Sequence, residues 1–236
     1  MNEYLTEVAA ATTVELIKKA LNKMLDSNWL SGTEDSKSIL EQLKKDSALN
    51  KYIVSYYNSV KYVRTIHKEN TDVDLDDVYY PLKLTSENKK IDIVIKDGVV
   101  INNSGVVNIV GIAGQGKSTV LRKLFIEEFG VNNRFPFFIE LRRVKENSIL
   151  NELARQLNEL NVTFSDKELV FLLQSGKVVL MLDGFDEIHS NNRNQLLENI
   201  CGIYNRYNCS IITTSRPDTE ICRAPRIKNL YIKNLE

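Results

Sequence analysis

The sequence predicts an α/β fold in which a mostly parallel five-stranded sheet carries helices on both faces and is preceded by a small helical domain. Three observations lead there. Before residue 90 the apolar side chains recur at helical spacing; after it, short apolar runs alternate with helical stretches; and a glycine-rich octapeptide stands where one of those runs meets a helix. Strands separated by helices need crossover connections, which make neighbouring strands parallel and cover both faces of the sheet.

The elements follow in order. Leu5, Val8, Ile17, Leu21 and Met24 lie three or four residues apart, or at sums of those steps, which is the stripe of an amphipathic helix over 5–25. Asn28 to Lys37, with Ser31-Gly32-Thr33, breaks it. A second helical stretch is expected from Lys37 to His67, where Ile39, Leu40, Leu43, Leu49, Ile53, Tyr57, Val60 and Val63 share a face that reads as core packing. Residues 1–77 are therefore taken as an N-terminal helical domain. Within it Asp72-Val73-Asp74-Leu75-Asp76 imitates a calcium loop, but Asp77 stands where that loop needs Gly and Lys83 where it needs Glu, so Glu69 to Asp77 reads as a solvated linker. Residues 78–104 are a linker and extended lead-in, in which Pro81 places Val78 to Leu84 at a sheet edge.

The remaining domain, 105–236, carries the strand candidates Val106 to Val110, Pro136 to Leu141, Val178 to Leu182, Ser210 to Thr214 and Leu230 to Ile232. Helices are expected near Lys117 to Phe129, Ile149 to Leu160, Asp166 to Gln174 and Arg193 to Tyr207. Among 236 residues, 31 basic side chains balance 31 acidic ones, which argues against a dominant nucleic-acid or anionic-membrane surface. A hydrophobic share of 43% supports a sizeable core and excludes disorder. Cys201, Cys209 and Cys222 form no C-x-x-C pair, which fits a reduced, cytoplasmic setting. No run approaches the ~20 apolar residues that span a bilayer, and Met1 to Ala11 contains no basic residue of a signal peptide. His67 and His189 lack ligand-spaced partners; with Trp29, they read as structural or exposed.

Gly111-Ile112-Ala113-Gly114-Gln115-Gly116-Lys117-Ser118 matches G-x-x-x-x-G-K-[ST], follows an apolar strand and opens a helix, as a P-loop must. Its glycines let successive backbone N–H groups approach phosphate oxygens. Lys117 supplies a point charge to the β and γ phosphates, Ser118 offers its hydroxyl to Mg²⁺, and the helix start, through Thr119, adds its positive dipole end. A metal held there needs a carboxylate from the opposite side. Asp183, at the tip of Val178 to Leu182, is placed to provide it. Asp186 and Glu187 follow after Gly184-Phe185, and one of them could polarise a water that attacks the γ-phosphate; their other reading is as N-terminal acids of a helix. Arg216 follows the strand Ser210 to Thr214, at the edge where parallel sheets bind ligands, with a surface role as the alternative. Arg142 and Arg143 share that edge as weaker candidates.

Together these residues resemble the NACHT family of STAND NTPases, a branch of the AAA+-related P-loop proteins, over roughly residues 105–235. The most specific stretch is Leu182-Asp183-Gly184-Phe185-Asp186-Glu187, with a small residue directly after the metal-binding Asp and an acidic pair two positions later. Thr214-Ser215-Arg216-Pro217 matches the family's sensor. The resemblance implies a P-loop NTPase sheet of order 5-1-4-3-2, with Gly111, Ile112, Ala113, Gly114, Gln115, Gly116, Lys117, Ser118 and Thr119 around ATP or ADP, Ser118 and Asp183 on Mg²⁺, Asp186 and Glu187 in hydrolysis, and Arg216 sensing the γ-phosphate. It further implies a slowly hydrolysing ATP switch that controls homo-oligomerisation and effector output in antiviral defence or innate immunity. Family members continue into a lid, a winged helix and a sensor after the last strand, whereas this sequence ends at Glu236. The alternatives are a housekeeping AAA+ ATPase acting on nucleic acid or protein, and a nucleotide-binding scaffold without turnover.

Overall fold

A computed structural model describes residues 2–27, 35, 37–64, 72–88, 91–102, 105–131, 134–145 and 148–233, the side chains of 2–11 excepted. Trp29, His67 and most of the predicted break after the first helix lie outside the described residues. Helix α1 (Asn2–Asp26) buries Ile17, Ala20, Leu21 and Met24. The second predicted helix is divided. It begins as α2 (Ser38–Leu43), restarts at α3 (Asp46–Tyr52), passes through a π-helical turn at Ile53–Tyr57 and ends in α4 (Asn58–Lys61). The break falls at Lys44-Lys45, where Lys45 is extended at ψ 139° and two adjacent cations leave the apolar stripe without a member.

After α4 the chain turns extended as β1 (Tyr62–Arg64), which pairs antiparallel with β2 (Asp72–Asp74) and leads to the single turn of α5 (Leu75–Val78). The acidic stretch expected to be a solvated linker is thus partly ordered, and the reason is local charge pairing. Asp72 meets Arg64 at 3.1 Å, Asp74 meets Lys61 at 3.2 Å, and Asp76 meets Lys123 at 2.6 Å.

Strands β3 (Leu82–Ser86) and β4 (Asp92–Ile95) precede β5 (Val106–Val110), α6 (Lys117–Val131), β6 (Phe135–Glu140), α7 (Ile149–Glu159), α8 (Asp166–Gln174), β7 (Val178–Asp183), α9 (Ser190–Tyr207), β8 (Ser210–Ser215), α10 (Glu220–Arg223) and β9 (Ile227–Ile232). The sheet order is β4-β3-β9-β5-β8-β7-β6. Its five parallel strands, counted from β5 as the first, run 5-1-4-3-2, the expected order. Two antiparallel strands extend it to seven, because β3 pairs with both β9 and β4. The lead-in is therefore interior to the sheet and β4 takes the edge; Pro81 lies just before β3, where its missing N–H removes no ladder bond. Pro136 does lie within a strand, and β6 is the opposite edge, which tolerates it.

The P-loop helix α6 is buried nearly all round, so it must be covered by more than the sheet. The N-terminal helices supply that cover. Tyr52 and Tyr57 pack on Phe129 with ring centroids 6.2 and 5.6 Å apart, and the Tyr52 hydroxyl donates to the Pro136 carbonyl at 3.0 Å. The apolar core runs continuously from Ile17 to Ile232 through these contacts.

A second fastening is ionic. Lys123, on α6 and 2% exposed, reaches Asp76 and Asp97 at 2.6 Å and Glu127 at 2.8 Å. Burial alone would lower its ammonium pKa, but the hydrogen bonds from the three carboxylates override it and raise the value. Lys123 thus ties α6 to α5 and to the turn after β4. The Lys123 hydrogen bond holds the Asp97 carboxyl below the usual carboxylate range, so its share of stability is present above that range and lost as pH falls through the lowered value. Lys123→Met keeps most of the volume but deprives Glu127, which is 11% exposed, of its cation and leaves it the Gly98 N–H at 2.7 Å. The expected loss is about 2 kcal/mol in urea unfolding, below the cost of breaking a fully enclosed pair because Asp97 and Asp76 are already open to water. Unchanged stability would show that the clasp contributes nothing.

Candidate nucleotide-binding cleft

Parallel strands deliver their carboxyl ends to one edge of the sheet, and loops leaving that edge must turn sharply to reach the covering helices. Three such ends meet here. The loop after β5 carries 111–116, the turn after β7 carries Gly184 to Glu187, and β8 ends at Ser215-Arg216. Between them opens a cleft of about 340 Å³ lined by Ala113, Gly114, Gly116, Lys117, Ser118, Thr119, Gly184, Asp186, Glu187, Thr214 and Arg216.

The loop keeps its shape through its own contacts. Gly111 N–H donates to the Ser215 carbonyl at 3.2 Å, tying the loop to β8. Gln115 accepts from Ile112 N–H at 2.9 Å and donates to the Ile232 carbonyl at 3.1 Å, so its side chain turns away from the cleft to hold the loop. Ile112 is 60% exposed. Lys117 caps the loop by donating to the Ile112 carbonyl at 3.2 Å. Gly116 has φ +89°, a backbone angle that favours glycine, and a Cβ there would lie 2.8 Å from Leu82 Cδ1 on β3, displacing the end of that side chain.

Asp183 underlies the cleft's floor: it is not a lining residue itself, but Ser118 and Thr214, which are, both rest on it. Its Oδ1 accepts from Ser118 Oγ at 3.0 Å and from Thr214 Oγ1 at 2.7 Å, and Thr214 Oγ1 in turn accepts from Gly184 N–H at 2.8 Å. One carboxylate oxygen therefore joins α6, β7 and β8. A hydroxyl and a carboxylate oxygen this close are the hard donors that Mg²⁺ selects, so Ser118 and Asp183 fit that ion. Thr214, fully buried, is given no role of its own by the sequence, although it ends the expected strand Ser210 to Thr214 and opens the Thr214-Ser215-Arg216-Pro217 match.

Gly184 takes φ +82°, turning the chain so that Phe185–Glu187 folds into a 3₁₀ turn with Phe185 buried and both acids at the cleft. A Cβ at Gly184 would stand 3.3 Å from Glu187 Cγ. Asp186 is 8% exposed and pairs with Arg216 Nε at 2.8 Å; Glu187 is half exposed, with Arg142 Nη1 3.7 Å away. Arg142 and Arg143 both pair with Glu140 and do not line the cleft. His189 caps α9, its Nδ1 accepting from Asn191 N–H at 3.4 Å. The three cysteines are free thiols, Cys209 fully buried. No described helix is long and apolar enough to cross a membrane.

Removing the Thr214 hydroxyl tests this floor without adding charge or volume. Thr214→Val leaves the buried Gly184 N–H unpaired and is expected to cost about 1 to 3 kcal/mol in urea unfolding, with Thr214→Ser recovering most of it. Equal stability for all three proteins would mean that the hydroxyl is not part of the floor.

Comparison with curated proteins gave no match. Among solved structures, that of C. elegans PCH-2 is 19% identical, with 85% of this chain and 47% of that chain covered and a TM-score of 0.32. This chain therefore spans about half the length of that protein. A putative ABC transporter ATP-binding protein from Pyrococcus furiosus is 17% identical, with 64% of this chain and 97% of that chain covered and a TM-score of 0.31. The NACHT domain family matches residues 105–228, a stretch that holds the glycine-rich loop, Asp183 with the acids after it, and Arg216. With that match extending over slightly more than half its residues, the chain belongs to the NACHT family.

Proposed function

We propose that this chain binds ATP with Mg²⁺, hydrolyses it slowly and acts as a switch whose nucleotide state controls self-association. One observation carries the reading: groups suited to phosphate, metal and water converge on a single cleft from three separate strand ends. In this reading the N–H groups of 111–116 and the start of α6 hold the β and γ phosphates, and Lys117 leaves the Ile112 carbonyl to neutralise them. Ser118 and Asp183 would hold Mg²⁺, which would neutralise phosphate charge. A water oxygen then attacks the γ-phosphorus as the bond to the β–γ bridging oxygen breaks, and Glu187 orients that water and takes up its proton. Asp186 assists from the same turn, and Arg216 contacts the γ-phosphate, which ADP lacks.

Family membership supports the finer parts of the proposal: output through residues 1–77, nucleotide-dependent homo-oligomers, and a role in antiviral defence or innate immunity. A scaffold without turnover is favoured by one observation, that both acids at the cleft already face a guanidinium. Lys117→Ala should weaken ATP and ADP binding at least about tenfold in calorimetry while leaving the fold intact, since the lysine is partly exposed at the first position of α6. Glu187→Gln should keep ATP bound and slow phosphate release. Equal affinity in the lysine variant removes the nucleotide reading. A parent protein that binds ATP but releases no phosphate establishes the scaffold instead.

A further inference from the structure

Asp186 and Arg216 form an ion pair across the cleft, and its two ends are unlike. The carboxylate is 8% exposed, whereas the guanidinium is 59% exposed. The carboxylate is also fixed. Arg193 donates to the Asp186 carbonyl at 2.8 Å and to the Ile188 carbonyl at 2.9 Å, and Glu187 N–H donates to the Gly184 carbonyl at 3.0 Å, so the turn is pinned through its backbone. Arg216 stands just past the end of β8 on a long exposed side chain that can move. The second carboxylate oxygen, Oδ1, is buried and has no hydrogen-bond partner among the described residues. Among those residues Arg216 is therefore the ion-pair partner that Asp186 has.

We propose that Asp186 is a latch on Arg216 that sets the preference of the cleft between nucleoside di- and triphosphates, an inference that rests on reading the cleft as a nucleotide site. A diphosphate leaves the pair intact, because no anion arrives beyond Lys117 to compete for the guanidinium. A triphosphate adds an anion beside Arg216. To engage it the guanidinium must give up or share Asp186, and a buried carboxylate deprived of its partner next to a phosphate is costly. Asp186 thus opposes the third phosphate and Arg216 favours it. A ligand shifts a two-state protein only by its differential affinity for the two states, so this residue pair bears directly on how strongly ATP can shift the protein away from its ADP-bound form. Asp186 is on this account a specificity-determining residue, whatever part it takes in hydrolysis.

The sign of one substitution separates the latch from a simple support for Arg216. Asp186→Asn keeps the shape of the side chain and the backbone pins while removing the charge. Calorimetry on the whole chain, with ADP and a non-hydrolysable ATP analogue so that turnover does not interfere, should show analogue affinity raised roughly two- to fivefold and ADP affinity nearly unchanged, the size of one partly exposed ion pair. Arg216→Gln should move the ratio the other way. If Asp186 instead holds Arg216 in position for the phosphate, Asp186→Asn will lower the analogue-to-ADP ratio as Arg216→Gln does, and the latch is overturned. An unchanged ratio overturns it too. Asp186→Ser carries the same test should the Asn variant fail to fold. If the parent binds neither nucleotide, or Lys117→Ala binds both as the parent does, the nucleotide reading falls along with the latch; a shift confined to neither nucleotide in a protein that binds both defeats the latch alone.

Discussion

Asp183 Oδ1 accepts two hydroxyl protons, one from Ser118 at the start of α6 and one from Thr214 near the end of β8, and most of the cleft's geometry follows from that arrangement. The sheet makes it possible. β5, β8 and β7 lie side by side and in register, with Ile109 opposite Thr214 and Leu182 opposite Thr213, so the three chain ends arrive at nearly one level. A carboxylate at the tip of a buried strand is costly unless it is hydrogen-bonded or faces a cation. Here the two hydroxyls satisfy it, and the same oxygens are the donor set that suits a hard divalent ion. The interaction that makes Asp183 tolerable in the fold is thus also the one that shapes the cleft.

The second dependence is on α6. A helix that presents its N-terminus to a ligand must be held at its other turns, and α6 is held on all sides. Its aromatic face packs under Tyr52 and Tyr57, and Lys123 is clasped by acids from α5 and the turn after β4. Gly116 touches the space of Leu82 on β3, so the lead-in strand bears directly on the loop. Packed side chains and an ion cluster thus form a contiguous connection between the N-terminal segment and α6, at whose start the loop ends.

Much of this was legible from residue order. The octapeptide from Gly111 to Ser118 and the acids after Val178 to Leu182 carry their spacing in plain view, because backbone contact with phosphate demands glycines and a metal demands oxygen donors. Strand β7 is legible as a continuous apolar run and β5 as one interrupted by Asn108, the mark of strands covered on both faces. What stayed hidden depends on partners that no sequence motif names. β4 is short and half exposed, with Asp92 at its start, and only its pairing with β3 makes it a strand. The acids Asp72, Asp74 and Asp76 look solvated until Arg64, Lys61 and Lys123 are brought beside them. Thr214 is one of many strand threonines until the sheet sets it against Asp183. The pairing of Asp186 with Arg216, thirty residues apart, likewise has no local signature.

The central claim is that Asp183 organises a metal-dependent phosphate site, and its most direct test is calorimetry of ATP binding with and without Mg²⁺, on the parent and on Asp183→Ala. The account predicts that Mg²⁺ strengthens binding to the parent, that the variant loses this gain, and that binding without the metal remains through the loop and Lys117. Identical Mg²⁺ dependence in the two proteins would contradict it.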